Sequence, residues 1–121
     1  DTHGILGVKE TMKFVKETLG NRETKFELIE NNIITDEIPE KIEKVSVANI
    51  DVDIYEATLS SLEKISKKIV RNGIIICEDP TSTPALYGSL LAMDEFLMSN
   101  NGEKFTKIFK KGQYFLIRDK G

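Results

Sequence analysis

The chain has 121 residues, of which 31% are charged and 40% hydrophobic, and a net charge of −3. That length and mixture describe one soluble globular domain, large enough for a real core but small for an α/β architecture. Lys and Arg are dispersed, so no basic stripe addresses nucleic acid, and no apolar run approaches the roughly 18 to 20 residues of a membrane span.

In chain order, Val8, Met12, Val15 and Leu19 recur at helical spacing and predict a helix over 8–19, with Gly20 as its stop. Phe26 to Ile29 is a short strand candidate, followed by a polar, acidic loop through Glu40. Val45 to Ile50 is short, apolar and β-branched, which predicts a buried strand. Residues 54–70 read as a helix, with Leu59, Leu62, Ile65 and Ile69 on one face and Lys64, Lys67 and Lys68 outside. Asn72-Gly73 ends it and launches a strand over 74–77. Pro80 and Pro84 confine residues 80–84 to a loop. Leu86, Leu90, Met93 and Leu97 mark a third helix, ending near Asn100-Asn101-Gly102. Phe105–Phe109 and Gln113–Ile117 form a hairpin around a solvated Lys110-Lys111-Gly112 turn. Phe105 and Phe109 share one face of their strand, and Phe115 with Ile117 share a face of theirs, as core positions should. The order α-β-β-α-β-α-β-β argues an α/β sandwich with an antiparallel closing edge.

Four acids stand out. Asp51 and Asp53 follow the strand 45–50, and Glu78-Asp79 close the strand 74–77. If the two strands are parallel neighbours, linked by the helix between them, all four lie on one edge of the sheet, about 4.8 Å apart strand to strand. Open α/β folds keep their binding crevices on that edge. Two readings stand level on spacing alone. Asp51 or Asp53 caps the following helix and Asp79 starts the next loop or helix, or the carboxylates gather a hard cation such as Mg²⁺, Mn²⁺ or Ca²⁺.

Other candidates carry less. Cys77, the single cysteine, ends an apolar strand and reads as a small hydrophobe; one cysteine excludes a disulfide framework and fits a reducing cytoplasm. His3 reads as a loop histidine, and the eight glycines form no phosphate-binding loop.

The spacing Asp51-x-Asp53-x-Tyr55-x-x-Thr58, then Asn72-Gly73-Ile74-Ile75-Ile76-x-Glu78-Asp79, then Gly88-x-x-x-Ala92-x-Asp94-x-Phe96 resembles the macrocin O-methyltransferase (TylF-type) family. These are class I S-adenosylmethionine-dependent enzymes, several of which methylate sugar hydroxyls. The resemblance implies that Asp51, Glu78 and Asp79 hold Mg²⁺ or another divalent cation, and that Asp53 is the general base. The cofactor would be S-adenosylmethionine and the acceptor a small-molecule hydroxyl. Asn49 stands where the family usually has His, Glu78 replaces the first Asp of its acidic pair, and Pro80 replaces Tyr.

Asp1-Thr2 resembles the pair that follows the family's second strand, which makes Asp1 the remnant of the cofactor site. The expected fold is therefore a partial class I methyltransferase, a Rossmann-like sandwich of mostly parallel strands with a C-terminal antiparallel hairpin. It lacks the N-terminal glycine-rich strand, turn and helix. The strand 45–50 is then expected to have an unpaired edge, the chain to form a homo-oligomer, and cofactor binding by the chain alone to be weak or absent. Two rivals remain: a non-enzymatic oligomerising or binding module built on the same fold, and a D-x-D phosphatase. In the second, Tyr55 departs from the expected Thr or Val and the acidic motifs stand too close.

Overall fold

The computed structural model describes residues 8–78 and 87–121 of the chain. Helix α1 spans Val8–Leu19. Met12, Val15 and Leu19 form its half-buried stripe, and the Gly20 amide donates to the Lys16 carbonyl at 3.0 Å to close the last turn. The strand expected over 26–29 does not form: residues 22–32 adopt no regular element. Residues 26–29 lie in a first compact unit, Asp1–Asn31, whose described residues include no strand to supply a hydrogen-bonding ladder.

The second unit, Asn32–Gly121, holds the sheet. Strand β1 is Val45–Ile50, helix α2 is Tyr55–Ser66, and strand β2 is Ile69–Glu78. Helix α3 (Tyr87–Leu97) leads through a 3₁₀ turn at Gly102–Lys104 into strands β3 (Phe105–Lys110) and β4 (Gln113–Arg118). The strand order is β1-β2-β4-β3. β1 and β2 are parallel neighbours, as their linkage through one helix predicts, with Ile50 opposite Cys77. Both other pairings are antiparallel, so this sheet is mixed where a mostly parallel one was expected.

The helix expected over 54–70 ends at Ser66, because Ile69 and Val70 already belong to β2. Ile69 is buried, but as a strand residue opposite Val45. The pairing then jumps from Val45↔Ile69 to Val47↔Ile74, so β2 spends five positions where β1 spends two. Asn72, at φ 67°, sits in this irregularity, and a short amide side chain tolerates that left-handed conformation. The Asn72-Gly73 pair is thus a bulge within a strand and not the end of a helix.

One face of the sheet builds the core. Ile50, Ile75, Cys77, Leu116 and Phe105 pack with Leu62 of α2 and with Met93 and Phe96 of α3. Leu62, Ile75 and Leu116 have no exposed surface, and truncating any of them to Ala would cost about 2–5 kcal/mol. Phe105, Lys107 and Phe109 lie opposite Arg118, Leu116 and Tyr114 and so share this face. Of the two phenylalanines only Phe105 is buried; Phe109 stays exposed and its ring rests 4.8 Å from that of Tyr114. Phe115 and Ile117 fall on the opposite face, beside Ile76 and Ile74, and are only half-buried. Leu116 takes the core role expected of them.

Lys64 also departs from the solvated position read for it. Its ammonium donates to the carbonyls of Ile33 at 2.9 Å and Asp36 at 2.7 Å, and Ser60 donates to Ile33 O at 2.6 Å. These bonds fasten the acidic loop to α2, and Asn32 organises the loop from within by accepting the Ile34 amide. Cys77 is buried, and burial pushes its thiol up to about 12. No described helix is long and apolar enough to cross a membrane.

β3 and β4 meet at a two-residue turn in which Lys111 (φ 51°) and Gly112 (φ 78°) are both left-handed, the geometry that suits the twist of a hairpin. Glycine adopts it freely and lysine does not. Lys111→Asn should therefore raise unfolding stability in urea by about 0.5–1 kcal/mol, with an unchanged denaturant slope.

Candidate functional site

The parallel register delivers the acids to one edge. Ile50 and Cys77 are the last paired residues of β1 and β2, so Asp51 and Glu78 each follow directly at the C-terminal ends of adjacent strands. Glu78 is still a strand residue, paired with Gln113 of β4, and its Oε1 accepts from Gln113 Nε2 at 3.0 Å. Asp1, His3, Asp79, Pro80 and Pro84 lie outside the described residues. Among the described residues, no group of three or more His, Cys, Asp or Glu side chains is arranged to hold a metal. Asp51 and Glu78 are the described members of the expected cation set.

The capping role weighed for Asp51 and Asp53 does not hold. Ile54 is the N-cap of α2, in an extended conformation (φ −109°, ψ 154°), and no side chain caps the helix. Asp51 and Asp53 are both exposed, in the three-residue link between Ile50 and Ile54. Between them Val52 turns its side chain against the core. The link is therefore anchored at its middle, with a carboxylate presented on either side of the anchor.

Several residues of the sequence pattern serve the contact between α2 and α3. A Cβ at Gly88 would stand 3.1 Å from the Tyr55 amide nitrogen, so a larger residue there would press the two helices apart by a few tenths of an ångström. Tyr55 donates its hydroxyl to Glu95 Oε2 at 2.6 Å. Ala92 and Phe96 are buried, and Asp94 pairs with Lys107 at 3.4 Å. Thr58 and Ser89 meet at 2.9 Å, and each also lies within hydrogen-bond distance of the Val52 carbonyl. Neither Gln113 nor Ser89 was marked by the sequence: their partners are 35 and 31 residues away along the chain, and only the folded register brings them together.

Compared with solved structures, the chain is similar to the apo structure of a TDP-rhamnose 3′-O-methyltransferase of calicheamicin biosynthesis. The TM-score is 0.68 at 19% sequence identity, over 97% of this chain and 55% of that one. The likeness is one of fold. This chain therefore spans little more than half the length of that enzyme. No family model and no curated protein sequence matches it.

The Tyr55–Glu95 bond has a measurable signature. Donation to the Glu95 carboxylate, then partial desolvation and repulsion from Glu95 and Glu63, raise the Tyr55 hydroxyl above its ordinary 10.0. A raised folded pKa means that the stabilisation is complete below the unfolded value and is lost as pH rises through the folded one. Tyrosinate absorbance, assigned by difference with Tyr55→Phe, should show this group titrating at higher pH than a free tyrosine, and Glu95→Gln should bring it down.

Proposed function

We propose that this chain is O-methyltransferase-like, with a site of the macrocin type that serves methyl transfer to a hydroxyl of a sugar or another small molecule. The observation that carries the reading is the position of Asp51 and Asp53. They are exposed and free of any capping role, and they follow β1 at the C-terminal edge where β2 ends in Glu78, on a sheet whose fold is similar to that of an O-methyltransferase. Ligands of open α/β sheets bind at that edge.

In this reading S-adenosylmethionine supplies an electrophilic methyl group, and a divalent cation lowers the pKa of the acceptor hydroxyl. Asp51, Glu78 and Asp79 would hold the cation through carboxylate oxygens, a donor set suited to Mg²⁺, Mn²⁺ or Ca²⁺. Gln113, bonded to one oxygen of Glu78, would fix that carboxylate's direction. Asp53 would take the hydroxyl proton as the acceptor oxygen displaces sulfur from the methyl carbon, the sulfur leaving as the neutral thioether S-adenosylhomocysteine.

Calorimetric titration with Mg²⁺, Mn²⁺ and Ca²⁺ tests the cation site. Binding at millimolar concentration or tighter is expected, weakened at least about tenfold by Asp51→Asn, Glu78→Gln or Asp79→Asn. Asp53→Asn should bind the cation as wild type does and lose methyl transfer to the acceptor hydroxyl. A wild-type protein that binds no divalent ion at millimolar concentration would return these acids to ordinary surface carboxylates.

A second reading, an oligomerising module on the same fold, is favoured by one observation. Among the described residues β1 is an edge strand, its sequence Val45-Ser46-Val47-Ala48-Asn49-Ile50 carries no charge, and Val47 is 61% exposed. Such an edge accepts another strand, and a two-fold homodimer is the commonest outcome. Sedimentation should then show a dimer that Val47→Lys dissociates; a wild-type monomer at all concentrations would rule the module out.

A further inference from the structure

The hydroxyls of Thr58 and Ser89 are buried and converge on one carbonyl. Thr58 Oγ1 lies 3.3 Å and Ser89 Oγ 3.2 Å from Val52 O, with 2.9 Å between the two hydroxyl oxygens. Three contacts share two protons. If Thr58 donates to Ser89, Ser89 donates to Val52; if Ser89 donates to Thr58, Thr58 donates to Val52. The carbonyl is bonded in either arrangement.

The Thr58 bond leaves its own helix, as the bond from Ser60 to Ile33 O does. Helical hydroxyls commonly bond back one turn. Thr18 donates to Phe14 O, Ser61 to Ala57 O and Ser66 to Glu63 O in this way. Thr58 instead reaches six residues back, past the start of α2, into the link that carries the acids. Ser89 comes to the same atom from the first turn of α3, 37 residues further on. Val52 is thus held at both ends, its side chain in the core and its carbonyl by two helices.

We infer that Thr58 and Ser89 are positioning residues: acting as one donor to the Val52 carbonyl, they fix the backbone between Asp51 and Asp53 and so pre-set both carboxylates for a divalent cation and its bound hydroxyl. The inference rests on the cation reading above for its purpose, but the clamp itself is read without any ligand. Supporting bonds of this kind typically change metal affinity by about 10- to 100-fold when removed, because a flexible link must be ordered at the moment of binding.

The experiment uses the whole chain, isotopically labelled, as wild type, Thr58→Ser, Thr58→Val, Ser89→Ala and Thr58→Val/Ser89→Ala. Without ligand, the Val52 carbonyl-carbon resonance should move upfield in the double variant as its donors are lost, move part-way in each single deletion, and stay in place in Thr58→Ser. A double variant that fails to fold leaves the two single deletions to carry the comparison. With Mg²⁺ titrated by calorimetry, affinity should fall about tenfold in the double variant and be restored in Thr58→Ser. An unmoved Val52 resonance in the deletion variants overturns the clamp. A moved resonance with unchanged Mg²⁺ affinity overturns its role in positioning the acids. Wild type that binds no Mg²⁺ defeats the cation reading and, with it, the positioning role, whereas the Val52 resonance separately decides whether the clamp exists.

Discussion

The structure depends on the parallel pairing of β1 with β2. Parallel neighbours cannot be joined by a tight turn, so the chain must cross from one end of the sheet to the other, and α2 is that crossing. Placing α2 on the sheet gives the core its first layer through Leu62, and α3 completes it with Met93 and Phe96. The same pairing aligns two strand ends, so that Asp51 and Glu78 arrive at one edge because Ile50 and Cys77 are partners. Burial of the apolar face and collection of charge at the edge are two outcomes of one register. A slip of one residue would turn both inside out.

The polar contacts between α2 and α3 give that layer its specificity. Apolar packing alone would let two helices slide by a turn at modest cost, whereas buried hydroxyls without partners would be expensive. Thr58, Ser89 and Val52 satisfy one another only in this alignment, and Tyr55 with Glu95 repeats the constraint at the surface. The residues that carry the resemblance to O-methyltransferases are divided between these tasks. Asp51, Asp53 and Glu78 stand at the edge, whereas Tyr55, Thr58, Gly88, Ala92 and Phe96 hold the two helices together.

Much of this was legible in the sequence because it is local. The β-branched run at 45–50, the helical period after Ile54 and the turn at Lys111-Gly112 each carry their own signal. The misreadings arose where tertiary contacts outweighed a period. Ile69 falls in phase with Leu62 and Ile65 on a helix, yet Lys68 O accepts the Val45 amide and draws the chain into the sheet from that point. Phe26–Ile29 is apolar enough for a short strand, but composition supplies no partner. Phe115 and Ile117 were assigned to the core by their apolar character, although the pleat gives that place to Leu116. The acids are visible in the sequence; the bonds from Ser89 to Val52 and from Gln113 to Glu78 are not, since they join residues more than thirty positions apart.

The two margins of the sheet differ in chemistry. β3 closes one side with Lys107 and Lys110 exposed along it, and β1 closes the other with no charge in its six residues. Like charges facing each other across a new ladder oppose its formation. Among the described strands, β1 is therefore the margin less guarded by charge against a further strand. Two chains joined along β1 would present a lysine-bearing strand at each outer margin, and the joint sheet would have no unguarded side left. In such a pair the lysine-bearing margins would face outward, where their charge opposes further lengthening.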